Sequence, residues 1–273
     1  MNKIILYILL SGSMSACTTT GQQETALTRE TESLTHDELM NEMMTTPKLE
    51  LKTLGILVYD GVNDLDFMGP KYVLGQLRGI KTQLIALDTG NITTVTGTEI
   101  VPNTVIDSVH QLDILVIPGG FKGTVEATYD KKLHAWIRAI DEHSAITASV
   151  CSGGWILAAT GLLEGKQATT NWFRAKEKLE AYGATFVDAR YTQDGKYWSS
   201  AGVTAGMDMS LAIMNDIWGE NYTQGVMLDM EYNPAPPIEG GSPEKTKPEV
   251  YQMMESMYAM ALQPLIDSLE SKH

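Results

Sequence analysis

The chain has 273 residues, with 20 Lys+Arg against 34 Asp+Glu and a formal net charge of −14. That acidity argues against nucleic acid as a partner and against a polybasic membrane patch. Its two cysteines, Cys17 and Cys151, sit in unrelated contexts and do not read as a disulfide, and no His or Cys residues recur at separations that suit zinc, so neither a metal nor a cofactor is expected.

Residues 1–17 begin with Lys3, run apolar from Ile4 to Leu10 and turn small and polar from Ser11 to Ala16. This is the pattern of a secretion signal, too short to span a bilayer. Met14-Ser15-Ala16-Cys17 resembles the lipobox of bacterial lipoproteins, which implies acylation of Cys17 and a lipid anchor in the membrane. An ordinary cleaved signal with a chance cysteine is the plainer alternative. By the same resemblance, Thr18 after the cysteine favours the periplasmic face of the outer membrane in a bacterial cell envelope. Residues 18–50, rich in Thr, Glu and Gln, read as a flexible tether. Within it Thr35 and Glu38 have capping-box spacing ahead of Leu39, Met40 and Met43, which predicts a short helix.

Residues 51–245 are long enough for one domain with a closed core. Leu54 to Tyr59, Gln83 to Leu87, Leu112 to Ile117 and Ala145 to Val150 are short, apolar strand candidates. Helical patterns fall from Pro70 to Leu77, from Asp130 to Glu142, from Trp172 to Tyr182 and from Met207 to Trp218, with a small hairpin at Thr93 to Val101 and a strand at Gln167 to Thr170. The alternation predicts an α/β doubly wound sheet with helices on both faces. Residues 246–273 form a helical extension, in which Val250, Met253, Met254, Met257, Met260 and Leu262 make the stripe expected to pack on the domain or on a second subunit.

Three segments fall at carboxyl ends of strands, where sites on such sheets gather. Cys151-Ser152-Gly153-Gly154 lies between a strand and a helix, a turn that exposes a nucleophile and offers free N–H groups to a thiolate. A lone cysteine is otherwise a small buried hydrophobe. Gly119-Gly120 can aim backbone N–H groups at an oxyanion, or be a plain turn. Asp66, set among Leu65, Phe67 and Met68, would be desolvated and able to share a proton with a thiolate, or would merely cap the helix begun by Pro70.

Tyr59 to Pro70, Asp113 to Gly120, Ser149 to Gly165, Ala168 to Trp172, Ser200 to Asp208 and Glu231 to Pro234 with Gly241-Ser242-Pro243 together resemble the ThiJ/PfpI superfamily, most closely its isonitrile hydratase-like branch. The resemblance implies a flavodoxin-like sandwich, usually a homodimer, acting on a small molecule. It further implies that Cys151 is the nucleophile and Asp66 the facing carboxylate, with the backbone of Gly120 and Ser152 forming the oxyanion hole. Many relatives carry Thr-Thr-His where this chain reads Thr169-Thr170-Asn171, and Asn cannot take a proton, so Asp66 is left as the candidate base. Trp155 and Trp172 flank the site in sequence and could wall an apolar pocket. His110, His134 and His143 are expected at the surface.

The implied activity is cysteine-dependent hydration of an isonitrile to an N-substituted formamide, or attack on another small electrophile. The alternative from a different class is an envelope sensor or protective protein with a redox-active cysteine. A regulator of the AraC type would need a basic helix-turn-helix, which does not follow Pro243.

Overall fold

The computed structural model describes residues 34–44 and 46–272; the signal segment, Cys17 and the tether as far as residue 33 lie outside the described residues. Helix α1 (His36–Met43) starts where the spacing predicts. The Glu38 N–H donates to Thr35 Oγ1 at 3.3 Å and the Thr35 N–H donates to the Glu38 carboxylate at 2.8 Å, a reciprocal cap that satisfies two otherwise free donors. Among the described residues no helix is long and apolar enough to cross a membrane.

The domain runs β1 (Thr53–Val58), α2 (Asp64–Leu74), β2 (Lys81–Ala86), β3 (Ile92–Thr93), β4 (Glu99–Ile100), β5 (Thr104–Val105), β6 (Ile114–Ile117), α3 (Lys122–Thr128), α4 (Lys131–Asp141) and β7 (Ile146–Val150). It continues with α5 (Gly153–Ala159), β8 (Gln167–Ala168), α6 (Ala175–Glu180), β9 (Thr185–Phe186), β10 (Tyr191–Asp194), β11 (Tyr197–Ser200), α7 (Val203–Trp218), α8 (Glu220–Asp229) and α9 (Pro248–Glu270). One seven-stranded sheet has the order β10-β11-β7-β6-β1-β2-β5, parallel throughout except for β10. Helices cover both faces, so the central strands carry apolar residues without alternation: Leu54, Ile56, Leu57 and Val58 are fully buried, as are Ile114 to Ile117. Each such side chain contributes roughly 1.5–3 kcal/mol by leaving water. From β1 the chain winds outward to β2 and β5, and from β6 it winds the other way to β7 and β11. The reversal between β1 and β6 opens a crevice at their carboxyl ends, the place where such sheets bind ligands.

Several elements differ from the expectation. Helix α2 begins at Asp64, not Pro70, because Asn63 is its cap and accepts from the Leu65 and Asp66 N–H groups at 3.1 and 3.3 Å. Pro70 therefore sits inside the helix, and Asp66 is a helical residue rather than a cap. The strand expected at Gln167 to Thr170 shrinks to β8, which pairs with β9 in a separate two-stranded ribbon. The antiparallel hairpin β10–β11 has no sequence signal of the buried-strand kind, because β10 is an edge strand of alternating exposure with no apolar run. His134 is buried on α4 rather than exposed, and its Nε2 has no hydrogen-bond partner.

Helix α9 forms as expected, but its stripe packs only in part: Leu262 is buried and Met254 half-buried. Val250, Met253, Met257 and Met260 of the methionine stripe are exposed. The packed face carries Tyr258, Leu262 and Ile266, which join Val125, Trp155 and Phe173 in a second apolar cluster. Aromatic rings decide the orientation, since Tyr258 lies 5.1–5.3 Å from the ring centres of Phe121, Trp172 and Phe173.

Candidate active site

Three loops meet at the crevice, and glycines let their backbones touch. A Cβ on Gly120 would fall 2.1 Å from the Gly61 carbonyl oxygen, and one on Gly153 would fall 2.1 Å from the Ile117 carbonyl oxygen. No side-chain rotation relieves either clash, because the neighbour is main chain. Gly120 also bridges to Val62, which ties the loop after β6 to the loop after β1. Gly120→Ala is accordingly expected to destabilise the protein by about 2–3 kcal/mol, read as a lower urea midpoint at unchanged m-value. A variant as stable as the parent would show that the loops yield freely.

Cys151 occupies the turn between β7 and α5 in the left-handed region, with φ 57°. That conformation costs an L-residue on the order of 1–2 kcal/mol, and the surroundings enforce it. The Cys151 N–H donates to the Ser200 carbonyl at 3.0 Å, while its own carbonyl accepts from Thr170 Oγ1 at 2.6 Å and from the Gly154 N–H at 3.2 Å. Held this way, the thiol points away from the strand. Asn171 Nδ2 donates to its sulfur at 3.3 Å, and Asn171 Oδ1 accepts from the Phe173 N–H at 2.9 Å, which fixes which end of the amide faces the sulfur.

Asp66 is fully buried beside this thiol. Neither of its oxygens has a well-formed hydrogen bond, and the groups that face them are the Cys151 thiol and the Gly119 N–H. Burial dominates and pushes the carboxyl up to about 7, against the lowering effect of those two contacts. Burial also pushes the Cys151 thiol well up, and the Asp66 charge adds to the shift, while the Asn171 amide and the Ser152 N–H pull it down. The helix start is expected to favour a thiolate, and the Ser152 N–H does pull the thiol down, but burial of the sulfur is the larger effect and pushes it up. The two groups form one site that shares protons.

The thiol opens into a cavity of about 260 Å³ whose walls include Phe121, Trp155, Asn171, Trp172, Tyr258 and Leu262. Through Trp172 and Thr204 it adjoins a larger cavity of about 590 Å³. The Gly120 N–H is engaged by Ser152 Oγ at 3.2 Å, and the same hydroxyl lies 3.1 Å from the Gly120 carbonyl. Tyr59 OH donates to the Pro118 carbonyl at 2.8 Å and holds the loop in place from below. Among the described residues no group of acidic, His or Cys side chains could hold a metal ion.

The fold agrees with that of known proteins to which the chain is similar. The sequence profile of the DJ-1/PfpI family matches residues 52–216. The chain belongs to the DJ-1/PfpI family. An isonitrile hydratase of Pseudomonas putida is 35% identical over 191 residues, which cover 70% of this chain and 83% of that protein. The crystal structure of a ThiJ/PfpI family protein from Pseudomonas syringae superposes with a TM-score of 0.78 at 30% identity, covering 89% of this chain and 98% of that one. Protein DJ-1 homolog A of Arabidopsis thaliana is 28% identical over 143 residues, 51% of this chain and 36% of its own length.

In this DJ-1/PfpI chain, Gly120, Cys151, Ser152, Asn171 and Trp172 line one cavity. Asp66 and Gly119 do not line it: Asp66 stands next to the thiol, and Gly119 faces the Asp66 carboxyl and packs against Ser152 and Gly153. Trp155 both walls the cavity and packs in the second apolar cluster. Sequence reasoning missed Asn63, the α2 cap, and Tyr258 from α9, and gave Leu262 a packing role without placing it at the cavity. The seven-residue spacing of Tyr251 and Tyr258, which puts two rings on one helix face, was the available signal for α9.

Proposed function

We propose that the protein is a cysteine-dependent hydratase of small electrophilic carbons, with isonitriles as the substrate class. The observation that carries this reading is the buried Asp66–Cys151 pair, whose thiol lines an aromatic cavity. In its monoanionic form the pair holds one proton, mainly on the sulfur; passing it to the Asp66 carboxylate as sulfur attacks gives the nucleophile and leaves a carboxyl with a proton to deliver. The sulfur adds to the terminal carbon of R–N≡C, and the Asp66 proton moves to that carbon, giving the thioimidate R–N=CH–S–Cys151. Water then adds its hydroxyl to the carbon and a proton to the nitrogen. The C–S bond breaks, the sulfur leaves with its electron pair, the remaining proton returns to the pair, and R–NH–CHO is released. The sum is isonitrile plus water to formamide, with no oxidant or reductant required. Asn171 supports the sulfur through its amide N–H but takes no proton.

The similarity to the Pseudomonas putida enzyme supports the substrate class, and the geometry supports the chemistry. A redox-sensing role draws less support, since a neutral, nearly buried thiol reacts slowly with peroxide. The test is formamide production from aryl and cycloalkyl isonitriles; an inactive wild type toward the whole panel would sink the reading.

We also place the domain at a bacterial membrane through acylated Cys17, on the sequence of residues 1–17. Growth of an expressing bacterium with an alkynyl palmitate analogue should label the full-length protein, and Cys17→Ala should lose the label. Equal labelling of both would remove the anchor.

A further inference from the structure

Helix α9 lies beyond the residues that the family profile matches, yet it closes the cavity over the thiol. It does so with Tyr258, a half-buried ring clamped by Phe121, Trp172 and Phe173. Three ring contacts fix the direction of the phenol without using its hydroxyl, which has no hydrogen-bond partner among the described residues. Trp155 presents its ring to the same walls, but its indole N–H is buried out of reach, without a partner among the described residues. Of the other polar groups on the wall, Asn171 is bonded to the sulfur, the Gly120 N–H to Ser152, Asn63 accepts from the start of α2 and Thr204 accepts from Arg190.

We propose that Tyr258 is a substrate-binding, specificity-determining residue, whose phenol donates a hydrogen bond to the polar group at the reacting carbon of the bound molecule. This deepens the hydratase reading and rests on it. The Tyr258 phenol is pushed up by burial, with the Cys151 and Asp66 charges adding, so it stays protonated across the working pH range and serves as a donor and not a base. The cavity selects a neutral molecule with a compact acceptor-bearing head and a flat or ring-shaped apolar body that packs on Trp155, Trp172 and Leu262.

N-benzylformamide, which carries the head and body of a hydration product, is the probe. Its binding is followed by quenching of tryptophan fluorescence in the wild type and in Tyr258→Phe, with toluene as a probe that lacks the acceptor. Tyr258→Phe should bind the formamide about tenfold more weakly and toluene within twofold of wild type. The rate of Cys151 alkylation by iodoacetamide should stay within twofold, showing that fold and thiol are intact. Equal formamide affinity in the two proteins, no binding to the wild type, or an equal loss for toluene would each overturn the proposal. The underlying reaction is judged separately by turnover in the wild type and in Cys151→Ala. Formamide binding that depends on Tyr258 without any turnover would reject the hydratase and keep the phenol's role, whereas turnover that needs Cys151 and ignores Tyr258→Phe would do the reverse.

Discussion

Cys151→Ala is expected to abolish isonitrile hydration, with a fall in kcat/KM of about a thousandfold or more, because no other thiol lines the cavity. Ser152 and Thr204 also line it, but the Ser152 hydroxyl is bonded to the Gly120 main chain and Thr204 Oγ1 accepts from Arg190. The variant should fold. Alanine at φ 57° is no more strained than cysteine, and the hydrogen bonds that enforce the turn are made by the main chain. Its melting temperature should therefore remain within a few degrees of the parent, which separates loss of chemistry from loss of structure. Cys151→Gly should be more stable than Cys151→Ala by about 1 kcal/mol, since glycine adopts left-handed φ freely. Retained turnover in Cys151→Ala would dismiss the cysteine mechanism outright.

For Asp66→Asn we expect kcat/KM to fall by about 10²–10⁴-fold, the range of a lost general acid or base. The pH profile should change shape as well as height. With the Asp66 carboxyl pushed up to about 7, the pair is doubly protonated below that value and monoanionic above it, so wild-type kcat/KM should rise with pH through about 7 and then level. In Asp66→Asn that limb should vanish, and activity should follow the thiol alone at higher pH. Stability should move the other way. A carboxyl whose folded pKa lies above its ordinary 3.8 favours folding while protonated, and this contribution is lost as pH rises through about 7. Between about pH 4 and 7 the wild type should lose stability relative to Asp66→Asn by up to about 1.4 kcal/mol per pH unit. At pH 8 the asparagine variant should be the more stable and the less active protein. An unchanged pH profile would show that Asp66 does not share the thiol's proton.

Much of the site was legible without coordinates. Cys151 between an apolar strand and Gly153-Gly154 can hardly be anything but a tight turn, since steric demands there act within a few residues. Asp66 in an apolar stretch after the first strand, and Gly119-Gly120 after β6, were likewise visible, because a parallel sheet sends the ends of its strands to one edge. The start of α2 was misread because Pro70 suggested a first turn, whereas Asn63 had already capped the helix.

Sequence by itself thus determined the α/β sheet and the tight turn at Cys151, which follow from hydrophobic period and local sterics, while the residues left Asp66 open between a cap and a carboxylate and only the resemblance set it opposite Cys151. Tertiary structure alone decided that the thiol is nearly buried and pushed up rather than ionised, that Ser152 Oγ engages the Gly120 N–H, and that Tyr258 of α9 closes the cavity. Desolvation and packing are properties of the neighbours a group acquires on folding, and those neighbours come from distant parts of the chain.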